Sequence, residues 1–135
     1  GVVGKKIISL LEKKNIKVKN FYPLGSSSVG DKISFNDQIF EIESLSNFDC
    51  ASVDVAIFSA GSSVARDYAP DFVKKGVYVV ELSSEFRYEE DIPLIIPEIN
   101  PQALIDADGP ILIANPVLFS EYPSGAETLA LSAVI

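Results

Sequence analysis

Two hydrophobic rhythms divide this chain, one helical and one of short unbroken apolar runs. Ile7, Leu10, Leu11 and Lys14 recur at helical spacing, which predicts a helix over residues 5–14 with one apolar stripe. Lys13 and Lys14 suit its C-terminal end. Residues 16–24 predict a strand with Pro23 near its end. Residues 33–35 and 38–42 predict two short strands around Asn36-Asp37, a hairpin. The run Val55-Ala56-Ile57-Phe58 shows no alternation, so a strand buried on both faces is expected there, as parallel strands are. Ser62 or Ser63 is expected to cap a helix through Tyr68; Pro70 restarts it and Gly76 ends it. Residues 77–80 predict the next buried strand, and 92–100 a short strand between prolines. One or two helical turns over 101–106 and a turn at Gly109-Pro110 lead to a final buried strand over 111–114. Ser124 and Glu127 have the spacing of a capping box before an apolar run to Ile135. Strand, helix, strand, helix, strand in this order predicts a parallel, doubly wound α/β arrangement.

Composition narrows what such a fold can do. The 135 residues suffice for one domain with a real core, and 47% are hydrophobic. No apolar run approaches the ~18 residues of a membrane span, and no signal peptide is visible, so the cytoplasm is the expected compartment and no membrane partner is expected. A net charge of −8 argues against general nucleic-acid binding but leaves room for a local phosphate site. Cys50 is the single cysteine, which excludes an intrachain disulfide and a multi-cysteine metal site. It stands among no basic residues and reads as a structural thiol. No metal site is expected. The chain has no histidine, which removes Ser-His and Cys-His chemistry from within it.

Four stretches carry candidate binding chemistry. Ser59, Ala60 and Gly61 close the run 55–58, and small residues there let a ligand approach the backbone at the carboxyl end of a strand. A tight strand-to-helix turn without a ligand would look the same. Gly1, Val2, Val3 and Gly4 place two glycines at a helix start, where backbone N–H groups face a phosphate in dinucleotide sites; a plain helix entry is the alternative. Ser26, Ser27 and Ser28 lie in a Gly/Ser loop after the predicted second strand and could reach a ribose hydroxyl or a 2′-phosphate, or simply face solvent. Arg87, beside Ser83 and Ser84, could hold a phosphate in its fork, or pair with Glu85 or Glu89.

Taken together and in order, these stretches resemble the cofactor-binding half of the aspartate-semialdehyde dehydrogenase family. Gly1 to Gly4 resemble the end of its glycine-rich loop, and Phe58-Ser-Ala-Gly-Ser-Ser-Val64 with Tyr68-Ala-Pro70 its cofactor-facing turn and helix. Ser83-Ser84 with Phe86-Arg87 resembles the segment whose arginine grips the acyl phosphate or inorganic phosphate. Ile92-Pro-Leu-Ile-Ile-Pro-Glu-Ile-Asn100 and Ala114-Asn-Pro116 resemble the stretches that lead to the nucleophile. The resemblance implies a Rossmann-like domain over residues 1–116, followed by an altered segment over 117–135. It implies NADP as cofactor, with NAD as the alternative, a dinucleotide and a phosphate as ligands, and a homo-oligomeric parent enzyme. The parent reaction interconverts aspartyl phosphate and aspartate semialdehyde through a cysteine thioester, within amino-acid biosynthesis.

The chain departs from the family pattern in four places. Leu118 stands where the nucleophilic cysteine follows Asn-Pro after one residue, and no register places a thiol there. The family's catalytic base, a histidine of the later substrate domain, is absent. The first strand and first glycine are missing, and the serine loop lacks the arginine that often accompanies NADP. This chain alone is therefore expected to be inactive, with no catalytic residue of its own. A non-catalytic homologue that binds a nucleotide or a partner is an alternative. Glu81-Leu-Ser-Ser-Glu-Phe-Arg87 and Tyr122-Pro123-Ser124 also resemble N-acetyl-glutamyl-phosphate reductase.

Overall fold

The computed structural model describes residues 1–115. The chain divides into two compact units, Val2–Asp49 and the part from Cys50 onward, with which Gly1 groups. The expected capping box at Ser124 and the altered segment over 117–135 lie outside the described residues.

The first unit opens with helix α1, Val2–Lys13, whose buried residues are Ile7, Leu10 and Leu11. Those three positions form the predicted apolar stripe. The helix stops at Asn15, whose φ is 52°, with Ile16 N–H returning to the Leu11 carbonyl at 3.1 Å. A left-handed residue after the last turn satisfies carbonyls that the helix would otherwise leave open. Beyond it come short strands β1 (Leu24–Gly25), β2 (Lys32–Phe35), β3 (Gln38–Glu41) and β4 (Glu43–Ser44). β2 and β3 pair antiparallel around Asn36 and Asp37, which both have positive φ, so the hairpin falls where the sequence put it. Phe21 stacks on Phe35 at 4.4 Å and meets Phe40 edge-on at 5.1 Å, and α1 packs against β2.

The strand expected over 16–24 is not formed; only Leu24–Gly25 is extended and paired, in parallel with Glu43–Ser44. Apolar content alone does not make a strand. Ile16 and Val18 are only half-buried, Lys17, Lys19 and Asn20 are exposed, and Pro23 has no N–H to offer a ladder.

The second unit begins with a single 3₁₀ turn, Cys50–Ser52, and builds a parallel sheet from β5 (Val55–Phe58), β6 (Tyr78–Glu81) and β7 (Leu112–Ala114), in the order β5-β6-β7. Helix α2, Ser62–Lys74, connects β5 to β6 and packs on all three strands. Ala65, Ala69 and Phe72 form its buried face, and Phe72 meets Phe58 edge-on at 5.2 Å. Val77, Val79, Val80, Ile95 and Ile113 are almost wholly buried. Each such side chain contributes about 1.5–3 kcal/mol by leaving water, so the sheet and α2 hold the core of this unit. A single helical turn, α3 (Gln102–Ile105), precedes β7.

Several expectations need correction. β5 is not buried on both faces: Val55, its first residue, is 39% exposed, and only Phe58 at its far end is buried. Tyr78, which pairs with Val55, is exposed to the same degree. Neither serine caps α2. Gly61 is the capping residue, and no side chain bonds the helix start. The helix also runs through Pro70 without a restart. It ends at Gly76 as expected, with φ 87° and with Val77 N–H returning to the Phe72 carbonyl at 3.0 Å. The stretch 92–100 is no strand but a single parallel bridge, Leu94 to Ala114. Pro93 and Pro97 remove two donors, and the Asn100 side chain takes up two further backbone groups: its Oδ1 accepts from Ile96 N–H and its Nδ2 donates to the Leu94 carbonyl, both at 2.7 Å.

Candidate functional site

Phe58 and Glu81 are register partners, so the turns that follow β5 and β6 leave the sheet side by side at its carboxyl end. The first is Ser59-Ala60-Gly61. Gly61 has φ 98° and ψ 168°, a conformation that residues with a Cβ essentially do not adopt. Its carbonyl accepts from Ala65 N–H at 3.1 Å, and a Cβ built on Gly61 would meet no atom within 4 Å among the described residues beyond its chain neighbours. The sequence therefore needs glycine here for its backbone conformation, not for want of room: the chain turns into α2 at a φ and ψ that only glycine readily adopts.

The second turn, residues 82–87, carries Arg87. Arg87 is half-buried; its Nε donates to the Ser83 carbonyl at 3.0 Å and its Nη2 to the Leu82 carbonyl at 3.5 Å. Arg87 thus does not pair with Glu85, whose carboxylate is taken by Arg66 of α2 through Nε at 2.6 Å and Nη2 at 2.8 Å. The Arg66 hydrogen bonds, with its charge, hold the Glu85 carboxyl below the ordinary carboxylate range. Ser62 Oγ donates to Ser83 Oγ at 3.2 Å, and Glu85 N–H donates to the same oxygen at 3.2 Å.

Glu81, at the base of this turn, is fully buried. Its Oε1 accepts from Ser83 N–H at 2.6 Å, while Oε2 has no partner among the described residues. Asn115, which follows β7, donates from its backbone to the Glu81 carbonyl at 2.8 Å and from Nδ2 to the Ile95 carbonyl at 2.8 Å; its Oδ1 has no partner among the described residues. Two orphaned acceptors are thus buried at the carboxyl end of the sheet, where α/β folds place ligands.

The structure therefore brings Ser59, Ala60 and Gly61 together with the Arg87 turn. The other candidates, Gly1 apart, belong to the first unit. Val2, Val3 and Gly4 form the opening turn of α1, directly after Gly1, with Val2 87% exposed. Ser26 and Ser27 are exposed, and Ser28 is half-buried in a loop closed by Gly30 N–H to the Ile42 carbonyl at 2.9 Å. Gly25 allows that loop to fold back, since a Cβ there would lie 2.6 Å from Ser28 Oγ. Sequence reasoning missed Ser62, Arg66, Glu81 and Glu85. The only signal for Glu81 was a charge ending a buried strand; Glu85 was marked only as a possible partner of Arg87, and nothing marked Arg66, 19 residues away.

A parallel sheet, a crossover helix packed on it and a glycine turn at its carboxyl end place this unit in the Rossmann-like class of α/β domains. The family model for the semialdehyde dehydrogenase NAD-binding domain matches residues 1–107. The aspartate-semialdehyde dehydrogenase of Legionella pneumophila is 44% identical over 117 residues, 86% of this chain and 34% of that protein. A crystal structure of aspartate semialdehyde dehydrogenase II from Vibrio cholerae, complexed with ASA, is 35% identical with a TM-score of 0.81, over 86% of this chain and 38% of that one. A Candida albicans aspartate semialdehyde dehydrogenase solved with NADP shares the fold, at 24% identity and a TM-score of 0.64 over 86% of this chain and 40% of that one. The chain belongs to the semialdehyde dehydrogenase family, in its NAD-binding domain. It spans about a third of the length of the curated relatives it matches (34% of the Legionella protein). Among the described residues no helix is long and apolar enough to cross a membrane.

Proposed function

We propose that this chain is the nucleotide-binding part of an NADP-dependent aspartate-semialdehyde dehydrogenase, a cytoplasmic and homo-oligomeric enzyme of amino-acid biosynthesis. The observation that carries this reading is the open, glycine-only turn at Gly61, beside a turn that orients Arg87. In this reading Ser59, Ala60 and Gly61 let the dinucleotide approach the backbone. Gly1, Val2, Val3 and Gly4 turn N–H groups toward its phosphates, and Ser26, Ser27 and Ser28 meet the adenosine ribose. Arg87 holds the acyl phosphate or inorganic phosphate through guanidinium N–H groups that its two backbone carbonyls leave free. Bound NADP supplies the hydride acceptor; the residues of this chain bind and orient.

The chemistry itself requires groups this sequence does not hold. Leu118 replaces the thiol, and no histidine is present. Removing nucleophile and base together costs far more than the ~10²–10⁴ of one acid–base group, so the chain alone is inactive. Leu118 also favours a second reading, a non-catalytic homologue that keeps the nucleotide site. Calorimetric titration of the chain with NADP and NAD tests the site. Saturable heat with NADP, weaker with NAD, is expected, and no heat with either would overturn the reading. Phosphate-dependent NADPH formation by this chain would contradict its inactivity.

A further inference from the structure

Arg87 owes its orientation to the backbone of its own turn, because the carbonyls of Leu82 and Ser83 receive its Nη2 and Nε. Where its fork points is therefore set by whatever fixes residues 82–87. Two side-chain links tie that turn to the first two turns of α2: Ser62 to Ser83, and the bidentate pair of Arg66 with Glu85. Arg66 is 64% exposed and Glu85 16% exposed, so the guanidinium reaches in from solvent to a carboxylate set into the turn. Two parallel N–H···O bonds fix angle as well as distance, which a single lysine contact would not.

We infer that the Arg66–Glu85 pair is a latch that holds the 82–87 turn on α2, and that Glu85 is a positioning residue for anion binding at Arg87. The inference rests on the reading of Arg87 as the phosphate-holding residue. It makes an unusual demand on the sign of one effect. Glu85 lies two residues from Arg87, so by charge alone its removal strengthens anion binding. Acting as a latch, its removal weakens anion binding, because the fork loses its fixed direction. Were Arg66 a direct anion ligand, freeing it from Glu85 would also strengthen binding.

The test titrates the isotope-labelled full chain with inorganic phosphate at constant pH and ionic strength, following the Arg87 Nε–H resonance. Glu85→Gln is expected to weaken phosphate about threefold and to speed exchange of the Arg87 Nε proton by a similar factor, the scale of one well-formed surface pair. The swapped pair, Arg66→Glu with Glu85→Arg, is expected to restore both. Arg87→Lys serves as the control. If it lowers phosphate affinity, unchanged or tighter binding by Glu85→Gln overturns the latch. If Arg87→Lys binds phosphate as well as the parent chain, the reading of Arg87 falls instead. The exchange rate then decides the latch by itself, and a parent-like rate in Glu85→Gln overturns it.

Discussion

Single residues decide this site through backbone geometry and charge. Gly61 sits at φ 98° and ψ 168°, so the penalty of a side chain there is conformational rather than steric. Gly61→Ala is expected to cost about 1–3 kcal/mol in chemical denaturation despite the empty space around it. The strain falls on the turn itself, so dinucleotide affinity should fall with it. Glu85 gives a pH signature. Its folded value lies below the ordinary carboxylate range, held there by the Arg66 hydrogen bonds. Its contribution to stability is therefore complete above the ordinary carboxylate value and disappears as pH falls through the depressed one. Denaturation of the parent chain and Glu85→Gln across acid pH should show the two curves converging only at the low end. Convergence already near neutral pH would show that the pair contributes nothing.

At the scale of elements, the helices were more legible than the strands. The stripe Ile7, Leu10 and Leu11 is buried as the spacing requires, and Gly76 ends α2 in the left-handed conformation its position suggested. Both features are local: a helix bonds to itself, and its end needs only one permissive residue. Pro70 shows the limit of local reading. It lies inside α2, between the buried Ala69 and Phe72, and packing on the sheet holds the helix together across the missing N–H. Pro70→Ala should therefore stabilise the chain, by about 1–2 kcal/mol once the gained backbone bond is set against the added freedom of the unfolded chain. A melting temperature lowered by this change would mean that the ring itself is a packing element. Strands fared differently. The hairpin at Asn36-Asp37 was readable because its turn chemistry is local. Residues 16–23 and 92–100 were not, because an apolar segment becomes a strand only when a neighbour supplies its hydrogen bonds.

At the scale of the whole molecule, the sequence by itself determined the α/β class, the helix stripe, the hairpin and the small-residue turns. In order along the chain, these also carried the family, since each depends on residues close together in sequence. The tertiary structure decided that, among the described strands, β5 pairs with β6 alone, that Arg66 rather than Arg87 takes Glu85, and that Glu81 and Asn115 each bury an oxygen with no partner among the described residues. Those outcomes depend on which strands lie next to each other. An ion pair between positions 66 and 85 exists only because β5, α2 and β6 fold back to bring those positions together, and no local pattern encodes that return.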